Sequence, residues 1–144
     1  MRFPFVLGCF LIVAACDESP HSKSNATHAV ASGKEITLTF SPLVEKTLEE
    51  KKATIVMDRI LQPGEEQPIP SVVGAGSLGY FVDHQFDSGE AGGFVRIHGS
   101  DGSSGGGSTG GEFSRQDGPV QASYCAVNTG KLPRRLMVYT TPAN

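Results

Sequence analysis

Apolar and polar residues alternate with a period of two over several short stretches, the pattern of strands with one buried face. Ile36, Leu38 and Phe40 alternate with Thr37 and Thr39 after Lys34. Residues 53–61 are rich in β-branched side chains (Thr54, Ile55, Val56, Ile60) and predict a second strand. Residues 78–86, 94–98, 120–127 and 136–141 predict four more. Between the first two strands the period changes. Ser41-Pro42 offers a cap and a proline for the first helical turn, and residues 43–52 place Leu43, Val44, Thr47 and Leu48 on one side. Lys51 and Lys52 fall at the end where the helix dipole favours cations. The stretch predicts one helix of about three turns.

Turn signals separate these elements. Pro63-Gly64 reverses the chain, Pro68 and Pro70 bar the next segment from a central strand, and Asn128-Thr129-Gly130 joins the last two strands. Short strands with one short helix predict a mainly β fold over residues 34–144, a small antiparallel β-sandwich or open barrel. Residues 99–111 hold seven glycines among Ser, Asp and Thr and predict a flexible loop. Gly105, Gly107 and Gly110 satisfy the spacing G-x-G-x-x-G, but Gly118-Pro119 follows where a dinucleotide site requires a helix. A Walker lysine is missing as well.

The N-terminus is organised differently. Arg2 precedes an apolar run from Phe5 to Val13, and Asp17 and Glu18 follow directly. A transmembrane helix needs about 20 apolar residues. A charged start, a run of about 7–15 apolar residues and a small-residue cleavage site describe a signal peptide instead. Val13-Ala14-Ala15-Cys16 resembles the lipobox of bacterial lipoprotein precursors. The resemblance implies removal of residues 1–15, a diacylglycerol on the Cys16 thiol, and a protein held by acyl chains on a membrane facing the periplasm. Asp17 resembles the signal that retains such proteins in the inner membrane. Two or more acyl chains give stable attachment, at about 0.8 kcal/mol per buried CH₂. Residues 16–33 offer almost nothing to bury and predict a disordered tether, averaging about 23 Å in span over its 17 residues beyond Cys16.

Charge and cysteine usage narrow the partners. The formal net charge is −3 at pH 7, and loss of Arg2 with the leader takes it to −4. Beyond Arg134-Arg135 no basic cluster exists, which excludes an electrostatic footprint for nucleic acid and a polybasic lipid-binding segment. Cys9 leaves with the leader and Cys16 is lipidated, so Cys125 is expected as a lone, buried structural thiol. An unlipidated Cys16 would be free to pair with it.

One polar constellation could carry chemistry: Asp83, His84 and Asp87 on the third strand, with Arg96 and His98 on the fourth. If those strands pair, Asp83, Asp87, Arg96 and His98 gather on an outward face as a metal or anion site. His84 lies on the apolar stripe with Tyr80, Val82 and Phe86. No nucleophile elbow, H-E-x-x-H or Ser/Lys dyad is present, so neither a catalytic residue nor a cofactor is expected. The expectation is a non-catalytic accessory lipoprotein of assembly, inhibitor or immunity type, bound to another envelope protein. The alternative is a metal- or ligand-binding module using Asp83, His84, Asp87 and His98.

Overall fold

The computed structural model describes residues 26–31, 33–83, 95–107, 109–114 and 118–144. The sequence-predicted strands appear as β2 (Lys34–Thr39), β3 (Thr54–Leu61), β5 (Ser77–Val82), β6 (Val95–Gly99), β9 (Tyr124–Asn128) and β10 (Arg134–Thr141). Four further strands are present: β1 (Ala26–Ala31), β4 (Glu66–Pro68), β7 (Ser104–Gly107) and β8 (Gly110–Ser114). Two four-stranded antiparallel sheets, ordered β3-β10-β5-β8 and β4-β9-β6-β7, face one another, and β1 and β2 form a separate antiparallel ribbon. The expected β-sandwich with one short helix is the fold.

Period-two alternation builds the core. Leu78, Tyr80 and Val82 of β5 and Leu136 and Val138 of β10 point inward to meet Val95, Ile97, Tyr124 and Ala126 from the opposite sheet. Side chains on alternate positions of β6 and β9 stay outside, among them Arg96 and His98. From Leu136 to Tyr139 strand β10 is apolar on both faces because its outer face is covered too. There Met137 and Phe81 receive Val44 and Leu48 from the helix and Phe40 from the segment between β2 and the helix.

Helix α1 (Leu43–Glu50) is shorter than predicted. Val44 and Leu48, four residues apart, face the sheet, whereas Leu43 lies about 100° round the axis and remains 67% exposed. The N-cap position falls on Pro42, one residue later than expected, while Ser41 just before it accepts the Leu43 N–H on Oγ at 3.3 Å and the Val44 N–H on its carbonyl at 3.0 Å. The helix ends when Lys52 turns into the left-handed region (φ 49°). Its N–H then donates to Glu49 O and that of Ala53 to Leu48 O, a Schellman closure.

Two expectations are corrected here. The tether was expected to be disordered through Gly33, but residues 26–31 pair with β2, Thr27 opposite Leu38 and Ala29 opposite Ile36. Small side chains let β1 lie against β2, and their low hydrophobicity concealed the alternation. The glycine stretch is not a free loop either: it supplies one of the two edge strands of each sheet, β7 beside β6 and β8 beside β5. The missing side chains make room for aromatic rings. A Cβ on Gly111 would lie 2.8 Å from the Tyr80 hydroxyl, and one on Gly105 would lie 2.8 Å from the Phe113 ring. Phe113 in turn packs between Tyr80 and Tyr124, with ring centroids 6.2 and 5.5 Å away. Aromatic cover of glycines is a known means of holding such weak strands in a sheet.

Candidate functional site

Asp83 is the residue that most sharply departs from expectation. It follows the last residue of β5, beside the start of β10, where Val82 pairs with Leu136. The Asp83 N–H donates to Arg135 O at 3.0 Å. In return Asp83 Oδ1 accepts the Arg135 N–H at 2.7 Å, so a side chain replaces the main-chain acceptor as the ladder ends. Arg134 Nε donates to the same Oδ1 at 3.1 Å, and its Nη2 donates to Asp83 O at 2.7 Å. Both side chains are buried. Burial holds the Asp83 carboxyl above its ordinary range, opposed by the Arg134 charge and the Arg135 N–H. This is a clamp between two strand ends: Asp83 Oδ1 takes the bonds from Arg134 and Arg135, while its buried Oδ2 has no hydrogen-bond partner among the described residues.

The outward cluster read from sequence therefore does not form around Asp83. Strands β5 and β6 belong to different sheets, so Asp83 sits between strand ends while His98 faces solvent opposite Ser104 and Cys125. The expectation assumed that consecutive strands pair, and here the chain re-enters on the facing sheet. His84 and Asp87 lie outside the described residues, as does Cys16. Among the described residues no group of three His, Cys, Asp or Glu side chains could hold a metal ion.

Arg135 sits on the outer face of the central strand β10. Its guanidinium forms a bidentate pair with Asp58 at 2.9 and 2.8 Å and lies 4.6 Å from the Phe40 ring centroid. Cys125 was expected to be buried. It is half-exposed on the outer face, its Sγ donating to Glu66 Oε1 at 3.3 Å. Desolvation, then the Glu66 carboxylate, pushes its thiol pKa up, which suppresses the nucleophilic thiolate.

A second polar group was not legible in the sequence. Lys51, just beyond α1, donates to Glu112 on β8, and Glu112 also bonds the Ser77 hydroxyl. Ser77 Oγ lies 2.9 Å from Thr141 Oγ1. Finding this group required the register of β8, a strand that hydrophobic periodicity does not reveal. The Lys51 hydrogen bond holds Glu112 below its ordinary value of 4.5, and Glu112 holds Lys51 above 10.5. A depressed acid stabilises the fold above its unfolded-state value and loses that effect as pH falls. A raised base stabilises below its own unfolded-state value and loses the effect as pH rises. The pair thus contributes fully between pH 4.5 and 10.5. With side chains 37% and 33% exposed, the gain is about 1 kcal/mol or less. Urea unfolding of wild type and Lys51→Met should converge in strong acid; a stability gap unchanged there would contradict this assignment.

Between α1 and the β5–β8 side lies an open groove of about 330 Å³, lined by Leu43, Val44, Thr47, Phe81, Val82 and Gly110. Its walls are mostly apolar, suited to an apolar side chain more than to a charged substrate. Among the described residues no helix is long and apolar enough to cross a membrane. No protein-family model, curated protein or solved structure matches this chain.

Proposed function

We propose that this chain is a small lipid-anchored protein of the bacterial envelope that acts by binding another envelope protein and catalyses no reaction. The observation that carries the reading is the Val13-Ala14-Ala15-Cys16 quartet closing a short apolar run. Cys16 is the lipidation site, the body faces the periplasm, and Asp17 favours the inner membrane. Two features of the folded body support the binding role. Two of its charged pairs, Asp83 with Arg134 and Asp58 with Arg135, are engaged in holding strands together. Desolvation and the neighbouring Glu66 push the Cys125 thiol pKa up. Assembly factor, inhibitor and immunity protein are the roles that suit such a body. The test compares wild type with Cys16→Ser in the native host. Wild type should remain on membranes after a high-pH wash and cross-link in stoichiometric yield to one envelope protein. The variant should be released by the wash. Equal retention of both forms would defeat the anchor, and an absence of any stoichiometric cross-link would defeat the binding role.

A further inference from the structure

Main-chain polar groups along a strand alternate in direction, so an edge strand turns half of them away from its sheet. In β9 the Tyr124 and Asn128 carbonyls accept from Ile69 and Gly64, on either side of β4. That leaves Cys125 and Val127 to bond His98 and Arg96 of β6. Ile97 and Val95 then bond Gly105 and Gly107 of β7, in step with the Gly99 N–H donating to Ser103 O at 2.7 Å. The N–H and C=O groups of Ser104 and Gly106 therefore face away from β6. Among the described residues β7 pairs with β6 alone, and Ser104 and Gly106 are both exposed. The opposite edge of this sheet is guarded: β4 ends in Pro68, and Arg59 Nη1 of β3 reaches its Gln67 Oε1 at 2.6 Å.

The flank of the β7 edge is basic. On the outer face Arg96 stands opposite Gly106 and His98 opposite Ser104. A Cβ on Gly106 would lie 3.2 Å from Arg96 Cγ, so the arginine occupies the space that a side chain at position 106 would fill. Neither the Arg96 nor the His98 side chain has a hydrogen-bond or ion-pair partner among the described residues. Asp101, the acid of the turn between β6 and β7, bonds the Ser103 N–H and hydroxyl.

We propose that β7 receives an extended segment of the partner protein as a fifth strand of its sheet, antiparallel to β7 and carrying acidic side chains two residues apart. This names the surface for the binding role proposed above and rests on that role. Strand addition takes its affinity from main-chain hydrogen bonds and its selectivity from alternate side chains. Glycines let the second backbone approach closely. The residues bonded to Ser104 and Gly106 project on the outer face, in line with His98 and Arg96 and two strand spacings, about 9.5 Å, from them. With no side chain at Gly106 in between, Arg96 meets a carboxylate there, whereas a lysine would face a like charge.

The test is fluorescence anisotropy of short labelled peptides titrated with the purified full chain. A peptide alternating valine with glutamate should bind, and one alternating valine with lysine should bind about tenfold more weakly or less. Arg96→Glu/His98→Glu, which alters only exposed side chains, should reverse that order and keep the wild-type circular dichroism. N-methylation of the glutamates, whose main-chain groups face β7, should abolish binding; N-methylation of the valines should not. Failure of the glutamate peptide to bind, equal binding of the two peptides, or indifference to the N-methylated position would overturn the proposal. So would a second copy of the chain on β7, seen as a dimer in sedimentation of the chain alone. In the host, a stoichiometric cross-link undiminished by Arg96→Glu/His98→Glu would overturn this site and leave the binding role standing.

Discussion

Asp83→Ala should lower folding stability by about 3–5 kcal/mol, the usual cost of breaking a buried ion pair from one side. The substitution leaves the Arg134 guanidinium, 6% exposed at its side chain, without the carboxylate that neutralises it. It also strips the Arg135 N–H of its acceptor at the end of the β5–β10 ladder. Asp83→Asn keeps an oxygen for that N–H and loses the charge, so its effect should fall in between. Arg134→Ala should cost a similar amount. The double variant should cost less than the sum of the two, because the groups share one interaction. Urea unfolding with an unchanged m value measures all four. A surface carboxylate, as the sequence suggested, would cost only about 0.5 kcal/mol or less.

Gly110→Ala should cost about 2–4 kcal/mol, combining overpacking with a strained dihedral. Gly110 has φ +154°, and a Cβ there would lie 2.5 Å from Tyr80 O and 3.3 Å from the Phe81 ring. Main chain on the neighbouring strand cannot swing aside as an exposed side chain would. Gly102→Ala is the control. Its φ is +83° with nothing within 4 Å of the added carbon, so about 1 kcal/mol is expected. Thermal unfolding of the two variants separates a packed strand from a floppy connector. Equal and small effects would mean that residues 110–114 are not held against β5.

The strands legible in the sequence are those whose inward positions carry large apolar side chains. Val95 and Ile97 announce β6, and Leu136 and Val138 announce β10, because burial of those groups drives the pairing. The strands that were missed lack that signature. In β7 and β8 the stabilising rings belong to Tyr80, Phe113 and Tyr124, so most of their glycines carry no periodic signal. Strand β1 alternates, but with alanine and threonine in place of leucine. The Asp83 clamp was partly readable. Arg134 shares its parity with Leu136 and Val138, which puts a guanidinium on the core face and demands a buried acid. Which acid answers it depends on β5 pairing with β10, a contact between segments 51 residues apart. The outward placement of Arg96 and His98 followed directly from alternation; their separation from Asp83 did not, because sheet membership is not encoded locally.

An intact mass spectrum of the protein extracted from its host membrane probes the proposed anchoring at its chemical root. Anchoring predicts a polypeptide beginning at the sixteenth residue and carrying the added mass of a diacylglycerol there. A chain with an unmodified thiol at that position, or one that still carries the leader, would contradict it.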